Sequence, residues 1–183
     1  MKYIKLFLVA LFLLNINSLR AQSDMNASTE PPFNIDYMKE IDAAKDKILA
    51  LAEAFPQDKY GWRPMEGVRS VSEVFVHVAS ANFFLPTFAG AKLPSGLSRD
   101  AEKTVTKKED VIKLLKDSYE SLKNFMSTLD PKTLDDQIEF FGTKGTKRRL
   151  LLILLDHNHE HLGQSIAYAR MNKIVPPWSM KQN

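Results

Sequence analysis

Apolar side chains return at helical spacing in four separate stretches of the chain. The first carries Ile35, Met38, Ile41, Ile48, Leu49, Leu51, Ala52 and Phe55, with Asn34 as its expected N-cap and Pro56 as its stop. The second opens on Ser70-Val71-Ser72-Glu73, where a serine and a glutamate three apart can satisfy each other's backbone amides. It continues through Val74, Phe75, His77, Val78, Ala81, Phe84 and Leu85 to Pro86. The third repeats that opening with Thr106 and Glu109. It then runs through Val111, Ile112, Leu114, Leu115, Tyr119, Leu122, Phe125, Met126 and Leu129 to Asp130-Pro131. The fourth, capped by Thr146, carries Leu150 to Leu155 and runs without proline to about Asn172, and Pro176-Pro177-Trp178 closes the fold. Four long helices with short to medium connections predict an all-α four-helix bundle.

The connections are less regular. Pro56 to Arg69 contains Trp62, which is expected to plug one end of the core. Gly90 to Arg99 reads as a loop. Thr133 to Gly145 is expected to fold over an end of the bundle as a lid or a short hairpin. There is no internal repeat, no glycine-rich phosphate loop and no Gly-x-Ser-x-Gly elbow.

The beginning of the chain follows different rules. Lys2 and Lys5, the apolar run Leu6 to Leu14 and the small residue Ala21 have the order of a signal peptide. The expected division is a leader over residues 1–21, a polar linker over 22–32, the bundle over 33–178 and a tail over 179–183. The apolar run is short for a membrane span. The expectation is therefore an exported protein, periplasmic or secreted, with no stable membrane insertion once the leader is removed.

The leader also changes the charge. Residues 1–21 hold Lys2, Lys5 and Arg20 and no acid, so 22 of the 25 basic residues remain against 22 acidic ones. The basic balance of the whole chain thus resides in the leader. Outside it, the cluster Lys144, Lys147, Arg148 and Arg149 is too small a basic patch to argue for nucleic acid. With no cysteine, the chain has no disulfide and no thiolate chemistry, and any metal ligand must be nitrogen or oxygen.

Three of the four histidines, His157, His159 and His161, fall within five residues of the last helix. His157 and His161 are four apart and share a face, whereas His159 points roughly 200° away at about 100° per residue. Two imidazoles one turn apart can grip one ion. The remaining histidine, His77, lies on the second helix. The reading is a three-histidine metal site, His77, His157 and His161, inside the bundle. The plainer alternative is a pair of ordinary core or surface histidines, and the zincin pattern His-Glu-x-x-His is absent. The apolar setting favours the metal, because buried imidazoles need partners. Ser80 and Ala81, one turn after His77, leave a small wall and hence space beside an ion. Glu73 is assigned to its helix cap. Gln164, one turn beyond His161, could orient a ligand or link helices, and Glu160 stands at the edge of the face.

These residues resemble a known family. Tyr60-Gly61-Trp62-Arg63-Pro64, Gly67-Val68-Arg69-Ser70, Glu73 and His77 are similar to the segment before and within the second helix of DinB-like proteins. His157 to His161 with Leu162-Gly163-Gln164, then Tyr168, Arg170 and Pro176-Pro177, resemble that family's final helix. The resemblance spans about Phe33 to Trp178. It implies an up-down-down-up course with a long connection between the second and third helices. It also implies a divalent ion (zinc, nickel, iron or manganese) on His77, His157 and His161, and a homodimer. Family members include thiol-dependent transferases, a maleylpyruvate isomerase and hydrolase-like proteins. Two departures stand out: Leu162 replaces the usual arginine beside the site, and the export signal argues against a role with cytoplasmic thiols.

The expected function is a metal-dependent enzyme of hydrolase or transferase type acting on a small molecule, with no identifiable catalytic base. The alternative is a non-catalytic bundle that holds metal or a small ligand.

Overall fold

The computed structural model describes residues 32–180. The expected leader, nearly all of the linker, and the last three residues of the tail lie outside the described residues. Four long helices form: α1 (Phe33–Ala54), α2 (Val71–Phe84), α4 (Lys108–Thr128) and α5 (Lys147–Met171). A one-turn helix, α3 (Ala101–Thr104), lies between α2 and α4. A hairpin of β1 (Gln137–Phe140) and β2 (Thr143–Thr146) precedes α5.

The course is up-down-down-up. The Arg148 guanidinium, near the start of α5, lies 5.0 Å from the ring centroid of Phe33 at the start of α1, so these two helices run in the same sense. Lys108, at the start of α4, donates to the carbonyls of Glu53 and Phe55 at the end of α1, so α4 runs the other way. On α2, the early His77 faces His161 and the later Phe84 shares a cavity wall with Ile153, so α2 opposes α5. Parallel α2 and α4 cannot be joined by a tight turn. The chain must travel back along the 14 residues of α2, about 21 Å. Residues 85–107 make that return, and they carry α3 past the N-terminal half of α2.

The core is built from Ile41, Ile48 and Leu51 of α1, Val74, Phe75 and Val78 of α2, Leu115, Leu122 and Met126 of α4, and Leu150, Leu151 and Leu154 of α5. Burying each such side chain contributes about 1.5–3 kcal/mol against the entropy of ordering it. The register of α1 differs from the expected one at its start. Ile35 is exposed, and Tyr37 and Ala44 take the core positions.

The helix ends test the expected caps. The Ser70 hydroxyl accepts from the Glu73 amide while the Glu73 carboxylate accepts from the Ser70 amide, and the Thr146 hydroxyl accepts from the Arg149 amide. Two caps differ. The helix α1 begins at Phe33, so Asn34 lies within its first turn rather than before it. Thr106 and Glu109 form no box, because α4 begins at Lys108. The Gln57 carbonyl accepts from the Lys108 amide at 2.7 Å, and its amide donates to the Thr106 carbonyl at 3.3 Å. A distant side chain thus does what the local pair was expected to do.

The expected hairpin in the segment 133–145 forms over residues 137–146, adding two strands to the helical fold. Phe140 pairs with Thr143, leaving Phe141 and Gly142 as a two-residue turn with φ of 52° and 71°. Both central residues of such a turn need positive φ, which suits Gly142 and costs a phenylalanine roughly 1–2 kcal/mol. Most of the basic cluster that follows is engaged locally: Lys147 pairs with Asp136, Arg148 pairs with Asp135, and Arg149 lies over the Phe140 ring. Trp62 is half-buried and meets Tyr168 edge-on at 5.4 Å. No helix among the described residues is long and apolar enough to cross a membrane.

Candidate metal centre

Across α2 and α5, the structure brings His77, His157 and His161 together. Their ring centroids lie 4.9 Å (77–157), 4.8 Å (77–161) and 4.4 Å (157–161) apart. One candidate ligand nitrogen from each lies within 4.8 Å of the others. Nε2 of His157 stands 3.0 Å from Nε2 of His77. Two nitrogens each about 2.0–2.1 Å from one ion stand roughly 2.9–3.4 Å apart for right-angled to tetrahedral geometry. The observed spacing falls in that range.

The far side of two of the rings fixes which nitrogen faces inward. Nδ1 of His77 lies 2.7 Å from Oε1 of Glu102, and Nδ1 of His161 lies 2.7 Å from Oε1 of Gln164. An ionised carboxylate and an amide oxygen only accept, so each Nδ1 donates and each neutral ring keeps its lone pair on Nε2. Burial pushes the Glu102 carboxyl upward, but hydrogen bonds from Arg69 and His77 outweigh it and hold the group below the usual carboxylate range. It therefore stays an acceptor at neutral pH. Gln164 is itself fixed: its amide donates to the Tyr168 hydroxyl at 3.0 Å, which donates to the Arg69 carbonyl at 3.0 Å. Arg69 also donates to Glu102 at 2.8 Å, so the backbone just before α2 ties both orienting groups together.

His157 is held differently. Its Nδ1 is buried and has no hydrogen-bond partner among the described residues. Burial, then the neighbouring His161 and His77 and the Arg69 charge, push its pKa from 6.5 to about 4. Burial also lowers His161, against the opposing hydrogen bond to Gln164. Both rings are therefore neutral at physiological pH, the form a metal requires. The two Nε2 atoms 3.0 Å apart are bridged either by a ring N–H or by a shared cation, and the three converging imidazole nitrogens together fit a divalent ion.

The other expected site residues take distinct places. His159 is exposed and its Nδ1 lies 3.0 Å from the Leu155 carbonyl, on the opposite side of α5 from the triad. Glu160 is exposed and lines a polar cavity of about 680 Å³ with Arg69, Glu102, His161 and Gln164. The other acids of that wall are paired, Glu73 with Arg63 and Glu102 with Arg69, whereas Glu160 makes no ion pair among the described residues. Glu73 caps α2, as its position in the sequence indicates. Leu162 is buried toward the core. Ser80 and Ala81 do leave space: they line a second cavity, of about 390 Å³, that reaches His77 and His157.

Two groups were not legible beforehand. Glu102 sits on the return segment, where no periodicity marks it. Asn158, fully buried between the two α5 histidines, accepts from the Tyr119 hydroxyl at 2.8 Å. It donates to the Asn82 carbonyl and the Leu154 backbone carbonyl, both at 2.9 Å. Asn82 in turn donates to Ser118 at 3.3 Å. This network ties α2, α4 and α5 together at the level of the triad, and gives α4 a role beyond apolar packing.

Comparison with known proteins agrees with the fold. YjoA of Bacillus subtilis (strain 168), an uncharacterised protein, is 29% identical over 123 residues, covering 66% of this chain and 78% of its own length. Among solved structures, a DinB-like protein from Bacillus cereus ATCC 10987 superposes with a TM-score of 0.69 at 15% identity, covering 77% of this chain and 93% of its own. The structure of YjoA itself superposes with a TM-score of 0.64 at 22% identity, covering 81% and 99%. A conserved protein from Enterococcus faecalis gives 0.62 at 16%, covering 78% and 98%. The sequence model of the DinB superfamily matches residues 40–165, which span the bundle from α1 to α5 and include all three clustered imidazoles, and the chain belongs to that superfamily.

Proposed function

We propose that His77, His157 and His161 hold one divalent ion (zinc, nickel, iron or manganese) and that the protein is an exported metal-dependent enzyme of hydrolase or transferase type acting on a small molecule. The observation that carries the reading is the pair of acceptors behind the rings. Glu102 and Gln164 take the Nδ1 protons of His77 and His161 and so direct their Nε2 lone pairs to one locus, where His157 also presents Nε2. Imidazole ligands suit several first-row ions, so the donor set does not choose among the four.

Three protein ligands leave coordination positions for a substrate, and a bound ion supplies Lewis acidity toward a carbonyl or phosphoryl oxygen. The chain's own residues do the rest. Glu102 and Gln164 fix the rings. Glu160, unpaired on the wall shared with His161, is the carboxylate placed to take a proton from a reacting group in the polar cavity. The basic residues Lys2 and Lys5, the apolar run Leu6 to Leu14 and the small residue Ala21 support export.

The test is turnover of ester, amide and lactone panels by untagged protein, after chelation and after return of each of the four ions. Turnover lost on chelation and restored by one ion supports the enzyme. Tight metal without turnover on any panel favours the non-catalytic alternative, and failure to take up any of the ions rejects the ligand set.

A further inference from the structure

The cavity of about 390 Å³ beside His77 and His157 differs in kind from the polar one on the His161 side. Its wall is formed by Ala81, Phe84, Leu85, Phe141 and Ile153, with Ser80 and Glu102 as its polar members besides the imidazoles. Glu102 is already engaged by His77 and Arg69, so the cavity offers no uncompensated charge to an ionic ligand. An apolar cavity of about 150 Å³ is enough to take up benzene, so there is room here for a ring and more.

Phe141 points to the same conclusion from a separate observation. It stands at a turn position with φ of 52°, where asparagine or aspartate is the favoured residue. The hairpin does not need its ring for anchoring, because Phe140 next to it is only 3% exposed while Phe141 remains 64% exposed. The Phe141 ring nonetheless folds back on Phe88 at 5.2 Å and Phe84 at 6.5 Å, at the rim of the cavity. A strained, exposed aromatic over an apolar cavity is the arrangement expected of a residue that covers a ligand.

We propose that this cavity receives the aromatic or aliphatic body of an uncharged small molecule whose polar head lies at the three imidazoles, and that Phe141 covers that body and sets the preference for it. The proposal rests on the metal reading above. It extends it from an unspecified small molecule to an apolar class, and it gives the hairpin a function.

Isothermal titration of the zinc-loaded protein with acetohydroxamic and benzohydroxamic acid tests it, since the two share a metal-binding head and differ in the ring. The wild type is expected to bind the benzo compound about tenfold more tightly or better, the increment that burial of one ring supplies. Phe141→Asn, which suits the turn, is expected to unfold at the same or a higher temperature and to keep its acetohydroxamate affinity. The advantage of the benzo compound should then shrink to about threefold or less. Equal affinities in the wild type overturn the apolar site and leave the metal reading standing. An undiminished advantage in Phe141→Asn overturns the role of Phe141. Binding of neither compound to the zinc-loaded protein overturns this proposal, and failure of the protein to load with zinc overturns the metal reading beneath it.

Discussion

His77 and His157, eighty positions apart in sequence, place their Nε2 atoms 3.0 Å from each other. The contact needs α2 and α5 to pack side by side with these two positions at the same level, and the bundle supplies that. It also needs the His77 ring to be turned the right way, and the Glu102 carboxylate, 2.7 Å behind it, does the turning. The same logic governs His161 and Gln164.

Removing either orienting group should weaken the metal site without unfolding the bundle. Glu102→Ala and Gln164→Ala are each expected to lower metal affinity about 10–100-fold, the usual effect of groups behind a ligand. Competition against a chelating dye, with circular dichroism as a fold control, measures this. Wild-type affinity in either variant would show that the ring it contacts is held by packing alone.

Glu73, four residues before His77, should behave in the opposite way. Burial pushes its carboxyl upward, but hydrogen bonds from the Ser70 amide and the Arg63 charge hold it below 4.5. A carboxyl depressed on folding contributes stability above its unfolded value and loses it as pH falls through the lower folded value. The acid limb of stability below pH 4.5 should therefore be shallower in Glu73→Gln than in the wild type, while at neutral pH the glutamine oxygen still accepts from the Ser70 amide and only the Arg63 charge pair is lost, at a cost of about 0–1 kcal/mol. Metal affinity should not change. Urea unfolding across pH, beside a metal titration, separates the two roles.

The buried network around Asn158 should be costly to break. Asn158→Leu leaves the Tyr119 hydroxyl and the Asn82 carbonyl without the partners they have now. The expected loss is about 2–4 kcal/mol, because each buried polar group then bears its desolvation. A shift in the urea midpoint with an unchanged slope would register it.

Gly145 lies opposite Ile138 in the hairpin, and a Cβ there would stand 2.8 Å from Cε1 of the Phe140 ring. Phe140 is buried, so its ring has little room to yield. Gly145→Ala is expected to cost about 1–3 kcal/mol. A thermal midpoint equal to the wild type would show that the hairpin accommodates the methyl group by shifting.

These residues also show how far the chain could be read without coordinates. The capping pair Ser70 and Glu73, the cap Thr146 and the prolines that stop helices are local signals, and the structure follows them. His157 and His161 share a face because of helical pitch, which any sequence displays. Thr106 and Glu109 have the same local pattern as Ser70 and Glu73 but form no box, because α4 begins at Lys108, whose amide is taken by Gln57, far away in sequence. Glu102 was invisible for a related reason. Its position depends on the return of the chain past α2, which follows from the parallel course of α2 and α4 rather than from any feature of residues 85–107. Asn158 lies between two histidines, and a lone asparagine on a helix does not announce a network that needs Tyr119, Asn82 and Ser118 to close.

Anomalous scattering from a crystal of untagged protein, at the absorption edge of the ion it retains, tests the account most directly. The account predicts one peak about 2.0–2.2 Å from Nε2 of each of His77, His157 and His161. A peak ligated elsewhere, or no peak after soaking with zinc, nickel, iron and manganese in turn, would contradict it.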